Sequence, residues 1–309
     1  MRSTEQRPSS SRRGASGAWN RLKPVRDDPL ETYGLPSKGE NRLNDFKAQE
    51  LYYNKIVERY MKFCAASSGG DDLNKQFASL KLRPSTSSII SPPSTSESVP
   101  IPPPVSGRPS QASGNELATI IASLRKLREA ITATSRRDHF AQRAYIFNIH
   151  AAILCKDWES YSPALLSLLN VIHPQTPLPS AELHEYVGYL ILDLACRQSD
   201  ITAAYTAKLK YGYTDRRVEL VLKALVSDNW VVFWKMKRAV DGYQRRIMEY
   251  AEQEMRLHAL KCLGRAYMSA DRQYVERCAD RRWPDLLNDG VGWQLEDGDK
   301  VIIRTPKVK

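Results

Sequence analysis

The chain has 309 residues, 42% of them hydrophobic, and 46 Lys and Arg against 35 Asp and Glu give a net charge of +11 and a pI near 9.4. That length can bury the core of one or two domains, and the basic balance favours acidic partners, nucleic acid included, through release of condensed counterions. Cys64, Cys155, Cys196, Cys262 and Cys278 stand far apart with no CxxC pair and an odd total, which excludes a readable disulfide framework or zinc knuckle and fits a reducing compartment.

The N-terminus, MRSTEQRPSSSRRGASG, lacks the apolar core of a secretory signal, and its arginines and serines only faintly resemble a transit peptide. No stretch offers about 18 uninterrupted apolar residues, so the expectation is a soluble protein of the cytoplasm or nucleus with no membrane partner. Residues 1–40 are polar, basic and rich in Ser, Arg, Gly and Pro, a composition that predicts a disordered arm. Within it, Trp19, Leu22 and Val25 could dock as a short extended motif.

Residues 41–83 form a tethered helical region. Leu43, Phe46, Tyr53, Val57, Tyr60 and Cys64 recur at steps near three and four, predicting one amphipathic helix that ends before the SSGG at 67–70 and packs on the main body by its aromatic face. A second segment over 73–82 would close a hairpin with it. Residues 84–114 then hold 8 of the chain's 18 prolines, a density expected of an extended, mobile spacer.

Residues 115–252 read as helical hairpins. Asn115 is the expected cap of a helix with Leu117, Ile120, Ile121, Leu124, Leu127 and Ile131 on its apolar stripe, and Asp138 caps the next, through Phe140, Ala144, Phe147, Ala151 and Leu154. Further helices are expected over 161–172, 180–197, 200–211 and 214–226, with a long one from Trp230 to about Ala251. KDWESYSPALLSLL, SDITAAYTAKL and SDNWVVFWKMKRAV form a loose internal echo, each starting a helix behind an acid, which fits stacked helical repeats.

Over 253–306 the pattern changes to a smaller module. Leu257, Leu260, Leu263 and Tyr267 make one stripe of a first helix, with Gly264 and Ala266 allowing another helix to approach. A second helix over 271–281 turns Tyr274, Val275 and Cys278 inward and Arg277 and Arg281 outward. RWPDLL supplies a third, and GVGWQLEDGDKVIIR reads as a β-hairpin turning at EDGD. Three helices and a two-stranded wing describe a winged helix.

The helical segments ELHEYVGYLILDLACRQSD and VLKALVSDNWVVFWKMKR, leading into RLHALKCLGRAYMSADRQYVERC and a terminal wing, resemble the PCI family. The branch is that of proteasome-lid subunit twelve, signalosome subunit eight and initiation-factor-three subunit k, and more distantly the GANP-type mRNA-export scaffolds. The resemblance covers roughly residues 115–305. It implies an all-α fold, TPR-like hairpins ending in a winged helix, and a non-catalytic scaffold subunit whose partners are other PCI-containing or complex subunits. The basic balance fits the mRNA-export branch better than a proteasome lid.

Several sharper readings were weighed against plainer ones. Residues 205–246 hold ten Lys or Arg against four acids, with Tyr205, Tyr211, Tyr213, Trp234 and Tyr243 interleaved. Lys208, Lys210, Arg216, Arg217, Lys235, Lys237 and Arg238, with Arg277 and Arg281, could contact RNA phosphates beside stacking aromatics. The plainer reading, which carries more weight, puts the aromatics in the core and the bases on the opposite face. The C-terminal residues 245–309 are nearly balanced, 13 bases to 11 acids, and suit protein contacts better than phosphate. There, Val301, Ile302, Ile303 and Arg304 read as an exposed edge strand that could extend a neighbour's sheet.

His258 and Cys262 are four residues apart, yet two ligands do not make a zinc site, and a Cys–His catalytic pair would need an orienting third group. Asp193, inside LILDLACR, reads as an ion-pair partner of Arg197 one turn on, rather than a general acid. No catalytic signature, cofactor motif or small-molecule site is legible, and no enzyme activity, metal or cofactor is expected.

Overall fold

The structure, a computed structural model, describes Leu30, residues 32–66 and 111–304, the side chains of 111–115 excepted. The expectations for most of the basic arm, for the segment over 73–82 and for most of the Pro/Ser spacer fall outside those residues; at the arm's end, Leu30 is buried in the core with its carbonyl accepting from Tyr52, and Pro36–Lys38 forms a short 3-10 turn, so the ordered body begins earlier than residue 41. What is described is mostly helical, with a small three-stranded antiparallel sheet near the C-terminal end.

Helix α1 (Phe46–Ala66) follows Asp45, whose carboxylate accepts the Ala48 amide proton at 3.0 Å. It buries Tyr52, Tyr53, Ile56 and Tyr60; of the face expected from the sequence Tyr53 and Tyr60 are buried and Val57 and Cys64 half-buried, whereas Phe46 is 47% exposed and Tyr52 and Ile56 take the inward places. Tyr53 meets Phe140 and Phe147 edge-on at 5.6 and 5.9 Å, so the tethered helix is seated on the body by its aromatic face. Arg136 locks the junction: its guanidinium lies over Phe46 and Phe140 at 4.4 and 4.1 Å and pairs with Glu50 at 2.5 Å.

Helix α2 (Gln111–Ala133) starts four residues before the cap expected at Asn115, which lies inside the helix instead. Helix α3 (His139–Leu154) is capped as anticipated, with Asp138 Oδ1 accepting from the Ala141 amide at 2.9 Å. Helices α4 (Trp158–Ser167) and α5 (Ser180–Leu192) each run on into a π-helical turn, Leu168–Ile172 and Asp193–Arg197. Then come α6 (Ile201–Lys210) and α7 (Arg216–Val226), and consecutive helices pack pairwise, α1 on α2, α3 on α4 and α5 on α6.

The internal echo has a backbone cause. Lys156, Ser199 and Asp228 all take left-handed φ of 57°, 54° and 51°, and the next residue, Asp157, Asp200 or Asn229, immediately precedes a new helix. Its amide closes the old helix by bonding back to Ala152, Leu194 or Ala224. Each motif is thus a C-terminal stop and an N-terminal start compressed into two residues.

The long helix expected from Trp230 to Ala251 is two helices, α8 (Trp230–Ala239) and α9 (Gly242–Met248). Val240 is extended, and Asp241 Oδ1 accepts the amide protons of Tyr243 and Gln244 at 2.8 and 2.9 Å. Apolar spacing continues through Val240, but an Asp–Gly pair competes for the backbone and starts a new helix there. The break turns α9 back against α3 and α5.

The C-terminal module comprises α10 (Glu252–Ala266), β1 (Ser269–Asp271), α11 (Arg272–Ala279), α12 (Trp283–Asn288), β2 (Gln294–Glu296) and β3 (Lys300–Ile302). The inward face of α10 is Met255, Ala259 and Leu263; Leu257 and Tyr267, placed on that stripe from spacing, are 51% and 43% exposed, and Tyr274 also faces out. Gly264 faces Trp293, at an ordinary contact distance, and not another helix.

The strand order is β1-β3-β2, with Val301 opposite both Ala270 and Leu295 and fully buried. Residues 301–304 are therefore not a free edge: Val301 and Ile302 lie in the central strand, and the amides of Ile303 and Arg304 donate to Met268 O at 2.9 and 3.0 Å. Strand β1 is not expected from the sequence, which puts residue 271 at the start of a helix; nothing local makes Ser269–Asp271 a strand, and pairing with β3, about thirty residues on, does.

Candidate functional site

Asp193 is the most heavily bonded carboxylate of the body. It accepts from Tyr161 Oη at 2.6 Å, from Arg197 Nε and Nη2 at 2.7 Å each, and from Gln198 Nε2 at 2.9 Å. Paired in this way it is a structural anchor for the π turn that carries it, as the i, i+4 spacing anticipated.

His258 Nε2 and Cys262 Sγ approach to 3.4 Å, and a third group does lie nearby: Asp228 Oδ2 is 4.0 Å from His258 Nδ1. That separation exceeds hydrogen-bond reach, so the aspartate does not fix the imidazole. Among the described residues, no group of three or more His, Cys, Asp or Glu has the placement to hold a metal ion.

The basic candidates do not form one surface. Lys208 pairs with Glu219 at 3.4 Å, and Lys237 sits between Glu252 and Asp280 at 2.5 and 3.2 Å. Arg238, Arg277 and Arg281 come together with Arg282 around a groove of about 900 Å³, interspersed with Glu276, Asp280 and Asp285. Lys210, Arg216 and Lys235 line neither this groove nor the cavity described next. Of the aromatics interleaved with these bases, Tyr213, Trp234 and Tyr243 are buried, while Tyr205 and Tyr211 pack against the core only in part, with Lys210 over the Tyr211 ring at 4.9 Å.

A polar cavity of about 550 Å³ opens where α3, α5 and α9 meet. α3 contributes His150, only 3% exposed, whose ring stacks on Tyr243 at 4.4 Å and lies 5.7 and 6.1 Å from Tyr186 and Tyr189. Neither ring nitrogen of His150 has a hydrogen-bond partner; Nε2 is 3.4 Å from Glu185 Oε1, close enough to pair electrostatically but not aligned as a hydrogen bond. The buried Tyr243 Oη and Gln244 Oε1 also lack partners. Tyr189 Oη donates to Glu185 at 2.5 Å.

Gly188 lets α5 come this close. A Cβ there would lie 2.5 Å from the Tyr213 hydroxyl, whose ring stacks on His184 at 4.1 Å. Burial works to raise the Glu185 carboxyl, but His150 and Tyr189 outweigh it and hold the group below its ordinary range. Asp241 goes the other way: burial lifts its carboxyl above the ordinary range against the capping bonds of Gln244 and Tyr243.

No family model matches this chain, and no curated protein matches it in sequence. The functional surfaces therefore stand on geometry. No described helix is long and apolar enough to cross a membrane.

Of the bases singled out from sequence, Arg217 reaches the cavity, at its lining and paired to Asp215 at 3.1 Å, and of the interleaved aromatics Tyr213 and Tyr243 line it too. His150, Glu185, Tyr189 and Tyr243 come from helices α3, α5 and α9, nearly a hundred residues apart along the chain, and no spacing rule links them. The one local signal was DGY at 241–243, which marks the helix start that swings Tyr243 inward.

Proposed function

We propose that this chain is a non-catalytic PCI-type scaffold subunit, a body of helical hairpins ending in a winged helix, which holds other proteins in place within a multisubunit assembly. The observation that carries the reading is the C-terminal order helix, strand, helix, helix, strand, strand, joined rigidly to the hairpins before it. Trp234 Nε1 donates to Cys278 O at 2.9 Å and Lys237 Nζ pairs with Asp280 at 3.2 Å across that seam. Leu209, Val226, Val231 and Leu257 leave large apolar side chains exposed on the helical surface. The central placement of β3 moves the expected protein contact from a strand edge to these helical faces.

The RNA-adaptor alternative has less support. It loses most of its stacking aromatics to the core, and its phosphate contacts narrow to Arg238, Arg277, Arg281 and Arg282 around one groove that also carries three acids.

Affinity purification of the tagged chain from its own cells at moderate salt, with nuclease in parallel, tests the reading. A stoichiometric, nuclease-resistant set of PCI-containing partners is expected. Partners that vanish on nuclease treatment, with RNA recovered alongside, would replace the scaffold by the adaptor, and binding would then fall steeply with salt.

A further inference from the structure

The cavity between α3, α5 and α9 has a charge opposite to that of the chain around it. The protein carries +11 overall, yet Glu182, Glu185, Asp215 and Asp241 line this space against a single guanidinium, Arg217. Asp215 already pairs with that guanidinium. Asp241 feels the same guanidinium only at longer range, and Glu185 faces His150 at 3.4 Å, so the acids still outnumber the cations around this space.

The buried polar atoms ask for the same thing. The Tyr243 hydroxyl and Gln244 Oε1 are shut away from solvent with no hydrogen bond, and His150 Nδ1 is likewise unpaired while its Nε2 lies 3.4 Å from Glu185 Oε1. The Gln244 amide oxygen, the Tyr243 hydroxyl and the carboxylates of Glu185 and Asp241 can each accept a hydrogen bond, so a donor group would satisfy them. Tyr186, Tyr189 and Tyr243 surround the same place with aromatic rings, the setting in which an organic cation gains most on leaving water. The side chains lack the ligand placement a metal ion requires, and a volume of about 550 Å³ suits a group of side-chain size or larger.

We propose that this cavity binds an organic cation, an alkylammonium or guanidinium group, between the carboxylates of Glu185 and Asp241 and the rings of Tyr186, Tyr189 and Tyr243. Gln244 Oε1 and the Tyr243 hydroxyl accept its N–H groups. The cation is either a free amine or the side chain of a lysine or arginine on a partner peptide; the recognition chemistry is the same. The site goes beyond the scaffold reading and does not depend on it.

Titration calorimetry of the full chain tests this with spermidine, and with capped Gly-Arg-Gly and Gly-Lys-Gly peptides against capped Gly-Ala-Gly. Saturable binding of at least one cationic probe and none of the alanine peptide is expected. Spermidine alone binding identifies a free amine; a peptide alone binding identifies a partner's side chain. Glu185→Gln, checked for folding by circular dichroism, should weaken binding about tenfold or more, the loss of one charge-assisted hydrogen bond. Should that variant fail to fold, Glu182→Gln, also on the lining, takes its place, with a loss of about threefold. Absence of binding by every cationic probe, or binding unchanged in the folded variants, would overturn the proposal.

Discussion

The helical body and the C-terminal module bury their apolar residues on different scales. The body has one continuous core from Leu30 to Met255, rich in tyrosine and tolerant of buried polar groups such as Asn148, His150 and Asp193. The module's core is seven residues, Leu263, Val275, Cys278, Ala279, Trp283, Leu286 and Val301, with Trp230 touching both clusters. A core that small is marginal by itself. The module therefore depends on its seam with α8, where Trp234 donates to Cys278 O and Lys237 bridges Glu252 and Asp280. The body, with polar bonds to spare, can leave some unmet where a ligand would meet them.

Breaking the seam should have the largest effect. Trp234→Ala removes a side chain 1% exposed and the bond to Cys278 O, and should cost about 3–5 kcal/mol in urea unfolding. Hydrogen exchange should show the module losing protection before the body; loss of protection in α3 first would mean the module is self-supporting. Within the body, Asp193→Ala leaves Arg197, Gln198 and Tyr161 without their acceptor and should cost about 3–5 kcal/mol, with Asp193→Asn milder. An Asp193→Ala protein as stable as the parent would show that the polar anchors of the body are dispensable.

Leu286→Ala should cost about 3 kcal/mol by opening the module's core, and exchange protection in α5 should be unchanged. Gly188→Ala forces Tyr213 off its seat on His184 and should cost about 1–3 kcal/mol, seen as a lower Tm. The smallest change has the opposite sign. Tyr243→Phe deletes a buried hydroxyl with no partner and should stabilise the body by about 1 kcal/mol, while keeping the ring face that a cation would use. A destabilised Tyr243→Phe protein would mean that the hydroxyl is satisfied and the cavity less polar than drawn.

Much of the fold was legible because its rules are local. Asp138, Asp200, Asp215 and Asp271 cap the helices they precede, and each was at or within a residue of a predicted boundary. The failures share a cause. Apolar spacing continued across Val240 and Asp241, so one helix was expected where a cap makes two. Leu257, Tyr267 and Tyr274 have the period of a buried stripe, but the small module offers no second layer to cover them. For the candidate site almost nothing was legible: the bases around Arg217 drew attention as a phosphate surface, when the acids opposite it come from α5 and α9.

The sequence by itself determined where helices start and stop and that Asp193 would meet Arg197, because capping and i, i+4 pairing act within a single turn. It also determined that the tethered helix would pack by its aromatic face. Tertiary structure alone decided that β3 is a central strand, since Ser269–Asp271 becomes extended only by pairing with it. It alone decided that His150, Glu185 and Tyr243 share one cavity: bringing three helices together is a property of the whole core, and no short window of residues carries it.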